Sequence, residues 1–253
     1  MSHGRPWRSA GPEVIGWLEW GEQLRDVGRV VLAQPRAVPY YFPRLPGARR
    51  RTPPPLRPVP DRTGWVAAME RAVGEQGIGM TEVWRRHSER TWQFAAALAA
   101  QEDAGLDDDL LYVAALMHDS GLFLRPDKGE SFAAAGARFA RKTAIAAGVD
   151  TTTADLLEAA IASHISMNPG NELGKYIQFG SLLDVTGHGI WQLDRGLVDQ
   201  VYARTTRRGF PSDVRKLWLA ECERLPLGRA AYARFPGCLL GAARWAPLPH
   251  RRT

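Results

Sequence analysis

The stretch Leu116-Met117-His118-Asp119 closes an apolar run with two side chains that cannot be buried alone. A buried imidazole or carboxylate needs a partner, and a metal ion can hold both. Any fold that buries this stretch must bring further polar groups to it. Three candidates stand in apolar segments of helical period: His87, His164 and Asp184. On a helix expected over 82–102, Val83, His87, Thr91, Phe94 and Leu98 share one face. Leu111, Ala114, Ala115 and His118 share a face of the next helix, and Leu157, Ala160, Ile161 and His164 a face of a later one. A helix over 172–190 puts Ile177, Ser181, Asp184 and His188 together.

Local signals bound these helices. Thr81 precedes Glu82 as an N-cap, and Asp107-Asp108-Asp109 suit the positive end of a helix dipole. An Ala-rich helix spans Ser131–Ala147 and stops at Gly148, and its Gly136-Ala137 pair permits close packing. Thr151 opens the next helix, and Asn168-Pro169-Gly170 reads as a turn. Shorter helices are expected over 63–73, 195–204 and 213–225. The chain has no strand–helix alternation, phosphate-binding glycine loop or internal repeat, so the fold class is all-α. Adjacent residues on a helix point about 100° apart. His118 and Asp119 can therefore share one ion only near a helix end, which Ser120-Gly121 supplies.

Charge divides the chain into three. Residues 1–60 carry +6, residues 61–203 carry −8 and residues 204–253 carry +8. The basicity thus lies in the flanks, and the candidate catalytic domain over 61–203 is acidic. The N-terminal arm, 1–60, has a rough amphipathic helix over 13–33, then eight prolines from Arg36 to Pro60 and the Arg49-Arg50-Arg51 cluster. Proline removes backbone donors, so this is an extended surface strap, with Tyr40-Tyr41-Phe42 available to pin it. The basic C-terminal extension, 204–253, carries Trp218 and Trp245. Proline and tryptophan interrupt the basic residues and no recognition motif appears, so a nucleic-acid partner is not expected. Two cysteines outside any C-x-x-C motif fit a reducing compartment. No secretory signal and no membrane-length apolar run is visible, so the expected location is cytoplasmic with no membrane partner. A homo-oligomer is compatible with the sequence.

His87, His118, Asp119 and Asp184 each fall on the inward face of a helix, the last three from later segments than the first. Two imidazoles and two carboxylates make a nitrogen–oxygen metal site with room for water. This order in an all-helical context resembles the HD superfamily of metal-dependent hydrolases. The resemblance runs over about 84–191. It rests on His87-Ser88-Glu89-Arg90, Leu111–Asp119, Gly136-Ala137, Ala160-Ile161-Ala162-Ser163-His164 and Asp184-Val185-Thr186-Gly187. These blocks look like the cyanamide hydratase-like branch, whose members hydrate a nitrile-type carbon. That branch usually has Phe-Glu before its Gly-Ala, where this chain has Phe132-Ala133. Dinuclear members carry two further His before the last Asp; only His164 stands there, so a mononuclear site is expected.

The resemblance implies an HD-domain helical bundle with one divalent ion, zinc first and Fe2+ or Mn2+ as alternatives. The expected ligands are His87, His118, Asp119 and Asp184. Asp119 and His164 are the expected catalytic residues, with His164 positioning substrate or carrying a proton. The expected reaction is attack by an activated water on a small molecule, as in hydration of a cyanamide-like nitrile to a urea. The alternative is an HD phosphohydrolase acting on a nucleotide or other phosphate ester, with Arg90, Arg125 and Lys128 holding the phosphate. A non-catalytic binding protein that uses its basic flanks is the third reading.

Overall fold

The computed structural model describes residues 55–166, 169–226, 228–234 and 248, with residues 232–234 described by backbone alone. The expected helix over 13–33, the Tyr40-Tyr41-Phe42 pin, the Arg49-Arg50-Arg51 cluster, Asn168 and Trp245 lie outside the described residues. The described residues contain helices and turns and no strand, in line with the all-α expectation. In chain order the helices are α1 (Gly64–Val73), α2 (Glu82–Gln101), α3 (Asp108–Met117), α4 (Phe132–Ala146) and α5 (Thr151–Ser163). Then come α6 (Glu172–Thr186), α7 (Arg195–Arg204), α8 (Phe210–Arg224) and α9 (Arg229–Arg234). Short 3-10 turns lie at Ser120–Phe123 and Ile190–Gln192. No described helix is long and apolar enough to cross a membrane.

Side-chain caps fix the helix starts. Asp107, Ser131, Asp150, Asn171 and Asp194 each accept a backbone N–H of the first turn that follows, satisfying a donor the helix cannot. Thr81 stands at the N-cap of α2 but makes no such bond. α6 ends at Thr186, earlier than its apolar period implies, because Gly187 turns left-handed at φ 76°. His188 therefore leaves the face that carries Asp184. It lies edge-on to Trp191 at 5.2 Å instead.

The core sits where α2 packs against both α3 and α6, and α4 against α5. Two close approaches depend on glycine. A Cβ on Gly180 would collide with the Thr91 carbonyl, so glycine lets α6 lie directly on α2. One turn further on, α6 delivers Asp184 to that crossing. A Cβ on Gly121 would collide with the Phe132 carbonyl, and one on Gly136 would meet Gly121 N at 2.9 Å. The chain just after His118-Asp119 is thereby pressed onto the start of α4.

The flanks join this core. Leu56 and Val59 of the proline-rich segment pack on it. Gln93 holds that segment, accepting from Arg57 N at 3.1 Å and donating to Arg57 O at 2.9 Å. Beyond residue 203, Phe210 and Val214 belong to the same core as α2 and α3. A smaller apolar cluster, Phe132, Ala133, Trp218, Cys222 and Ala230, ties α8 and α9 to α4.

Candidate metal centre

α3 stops at Met117, and His118 is its C-cap. Asp119 follows with φ −103° and ψ 8°, and the chain tightens into the 3-10 turn. That change of winding at the helix end lets two adjacent side chains meet at one point. His164 occupies the same position on α5, as its C-cap. Each of these two His turns its Nδ1 back to the carbonyl three residues earlier. His118 bonds Ala115 O at 2.7 Å and His164 bonds Ile161 O at 2.6 Å. A carbonyl only accepts, so Nδ1 carries the proton and Nε2 keeps its lone pair. The imidazoles thus satisfy helix-end carbonyls and face inward at once.

His87 reaches the same tautomer by another route. Its Nδ1 lies 2.7 Å from Asp184 Oδ2, and the ring stacks on Phe210 with centroids 4.4 Å apart. Edge-on contact with Trp84 at 5.6 Å fixes its other side. The Nε2 atoms of His87 and His118 are buried and have no hydrogen-bond partner. Asp119 Oδ2 lies 3.4 Å from the first and 3.0 Å from the second. Ligand atoms of His87, His118 and Asp119 all lie within 4.8 Å of one another, so these three could hold one ion. Asp119 Oδ1 lies 3.5 Å from His164 Nε2, which borders the same point.

The electrostatics also suit a cation. The C-terminal ends of α3 and α5, which carry partial negative charge, converge there. Burial pushes Asp119 up, but His118, His164 and His87 outweigh it and hold the carboxyl well below its usual range. Burial pushes His118 down, yet Asp119 beside it turns the net shift upward. A cation at that point would compete with a proton for the His118 Nε2 lone pair. His164 is shifted down, chiefly by burial, with Asp119 offsetting only part. It is neutral near pH 7 and able to accept a proton.

Asp184 stands behind His87, accepting from its Nδ1, and contributes no atom to the group of three that lies within 4.8 Å. Its carboxylate is fully buried and accepts from four directions. Arg90 donates through Nε and Nη2, each at 2.8 Å, and Tyr202 OH donates at 3.0 Å. With the His87 bond, both oxygens are engaged. Arg207 Nε stands 3.3 Å away, and its Nη2 donates to the carbonyls of Asp184 and Val185. Burial raises the Asp184 carboxyl, but Arg90, His87 and Arg207 hold it far below the ordinary value. The same carboxylate, with burial, pushes the Tyr202 hydroxyl well up.

Arg90, expected at a substrate, is fully buried with its third donor on Thr206 O at 2.8 Å. Its guanidinium serves Asp184. Lys128 is exposed in the loop after the 3-10 turn and does not line the cavity beside the site. That cavity has a volume of about 140 Å³ and is bordered by Asp119, His164, Trp84, Gln178, Trp218 and Arg229, among others. Arg207, Tyr202 and Phe210 have no motif around them in the sequence. Arg207 is in a turn, so no helical period could mark it as inward.

The all-helical bundle thus gathers two buried imidazoles and a carboxylate that could hold a metal ion. Residues 84–201 are similar to the family model described as HD domain. Members of the HD superfamily are generally metal-dependent hydrolases, and the match spans α2 to α7, the helices that carry the site. No curated protein matches the chain.

Proposed function

We propose that the protein is a metal-dependent hydrolase or hydratase acting on a small molecule, with one ion held by His87, His118 and Asp119. The observation that carries this is the meeting of two buried, unpartnered imidazole nitrogens and a carboxylate beside a cavity. Three protein ligands leave positions for water and substrate, the pattern of catalytic rather than structural sites. Zinc suits this donor set, as do Fe2+ and Mn2+. His87, His118 and Asp119 would hold a divalent ion, which would supply an activated water, its pKa lowered from about 15.7 toward about 7. His164 Nε2, neutral and next to Asp119, takes the proton from the attacking water. Asp184 holds His87 in the ligating tautomer, and Arg90, Tyr202 and Arg207 hold Asp184. Trp84, Leu182, Val185 and Trp218 give the cavity its apolar lining.

The cavity supports a small substrate over a nucleotide. A space of about 140 Å³ compares with a cavity of roughly 150 Å³ that admits one benzene. A base, a sugar and a phosphate exceed it. A phosphate also calls for several cations, and Arg90 is committed to Asp184 while Lys128 lies outside. Hydration of a nitrile-type carbon is the finer reading: water adds across the C≡N bond, giving an amide, or a urea from cyanamide. The test is metal content and turnover of the purified chain, with His118→Ala beside it. One zinc per chain, absent from the variant, with turnover of cyanamide or a simple nitrile, supports the reading. Turnover of phosphate esters alone would replace it with a phosphohydrolase. Failure to load metal under reconstitution would end it.

A further inference from the structure

One wall of the cavity beside Asp119 and His164 is a face of α6. Gln178, Ser181, Leu182 and Val185 border the cavity at spacings of three, four and seven residues, which puts them on one side of that helix. Leu182 and Val185 are apolar. Gln178 and Ser181 are half-buried and polar, and neither belongs to the group that could hold a metal.

The Gln178 amide is fixed end for end. Its Nε2 donates to His164 O at 3.1 Å and to Ser166 O, on the chain that leaves α5. A carbonyl only accepts, so the amino end must face these two oxygens, and both of its hydrogens are spent there. Oε1 is left as an acceptor to which no described residue donates, and it is not among the polar atoms sealed inside the protein. Ser181 is left open in a different way. A hydroxyl within a helix can bond the carbonyl four residues earlier, as Ser163 and Thr186 do here, each at 2.7 Å. Among the described residues Ser181 Oγ has no such partner. This wall therefore offers two oxygens that no described donor occupies, and the tether to His164 O sets it next to the candidate base.

We infer that the substrate is a neutral molecule bearing a primary amino group, as in a primary amide or a urea, whose two hydrogens are accepted by Gln178 Oε1 and Ser181 Oγ while its reactive carbon lies at Asp119 and His164. An NH2 group has two hydrogens for two acceptors, where a hydroxyl has one. Carboxylate and phosphate oxygens only accept, and would meet Oε1 lone pair to lone pair. Arg229, which also borders the cavity, is already engaged. An analogue without the amino group leaves both acceptors unpaired, which is how such a site rejects it. Gln178 and Ser181 are then specificity residues. This inference rests on the proposed small-molecule reading of the same site.

The test uses the full chain loaded with zinc and two probes of one shape, benzamide and acetophenone, which differ by NH2 against CH3. Titration calorimetry gives both affinities for wild type, Ser181→Ala and Gln178→Met, and zinc is counted on each sample. Benzamide is expected to bind wild type at least about fivefold tighter than acetophenone, the size of one to two neutral hydrogen bonds. Each variant is expected to weaken benzamide by about 3- to 10-fold, with acetophenone within about twofold and zinc unchanged. Equal affinity of wild type for the two probes overturns the proposal, as does the absence of saturable benzamide binding. A variant that loses both probes equally overturns the specificity role of that residue. Unchanged benzamide affinity in Ser181→Ala overturns the pairing of two acceptors, and in a folded Gln178→Met it overturns the role of Oε1. Should Gln178→Met not fold, Ser181→Ala and the wild-type ratio decide. Failure of the wild type to load zinc counts against the metal reading of the site, and the benzamide-to-acetophenone ratio in the same preparation still decides on the α6 wall.

Discussion

Replacing Asp184 with Asn separates a ligand from a support. In the structure the Asp184 carboxylate accepts from His87 Nδ1, Arg90 Nε, Arg90 Nη2 and Tyr202 OH, with Arg207 Nε at 3.3 Å. The Asn amide has one acceptor atom, and its NH2 group faces donors wherever it turns. Arg90 and Arg207, both buried, lose their counter-charge. Removing one partner of a buried ion pair costs about 3–5 kcal/mol. A domain of ordinary stability, roughly 5–15 kcal/mol, survives that loss. Urea denaturation of the metal-free chain should then show a lower midpoint at an unchanged m-value.

The metal gives the second reading of the same variant. With Asp184 behind His87, Asp184→Asn loosens one ligand's orientation and basicity, a change that typically lowers affinity about 10–100-fold. The assay is competition for zinc against a chelator of known affinity, with His118→Ala as the ligand-loss control. Zinc affinity reduced as far as in His118→Ala would show Asp184 to be a ligand and refute the support reading. A stability loss under about 1 kcal/mol would refute the reading of Asp184 as the counter-charge of a buried ion-pair network.

His164→Gln should keep zinc stoichiometry and lose about 10²–10⁴ in kcat, as expected for loss of a general base; loss of zinc as well would make His164 a ligand. Gly180→Ala forces a methyl against the Thr91 carbonyl and should cost about 1–3 kcal/mol in urea melts, with weaker zinc binding because α6 carries Asp184. Zinc at about a hundred times its Kd should stabilise wild type by about 2.7 kcal/mol in urea melts and leave His118→Ala unmoved. The Asp184 carboxyl is held below its unfolded value of about 3.9, so its contribution is full above that pH and is lost as pH falls through the lower folded value. Acid titration of metal-free stability should therefore fall more steeply below about pH 4 in wild type than in Asp184→Asn.

Where the sequence carries period, the structure follows it closely. α2, α3 and α5 begin and end within a residue or two of the apolar pattern, and His87, His118 and His164 all face inward. The pairing of His118 with Asp119 was legible because the helical angle between neighbours allows a shared ion only at a helix end. The order of the polar residues behind the site was not. A period places Asp184 on a buried face but does not say whether that face meets an ion or a guanidinium. Arg90 lies three residues after His87, on the same side of α2, so both reach across the α2–α6 crossing to the same carboxylate. Read alone, its charge suggests a substrate; only its depth reveals a counter-ion.

The C-terminal extension shows the other limit. Its residues reach the site through packing between distant segments, which no local pattern encodes. Phe210 stacks on His87, Arg207 crosses to Asp184, and Trp218 rests on the ring that borders His164. Each of these lies beyond residue 201, where the HD match ends, yet each touches a residue within it. The candidate ligands thus come from α2 and the end of α3, and the cavity beside them is completed by Val214 and Trp218 of α8. Within α8 itself the two roles divide: Phe210 stacks on His87, and Val214 and Trp218 border the cavity. His118 and His164, by contrast, stand at the ends of α3 and α5.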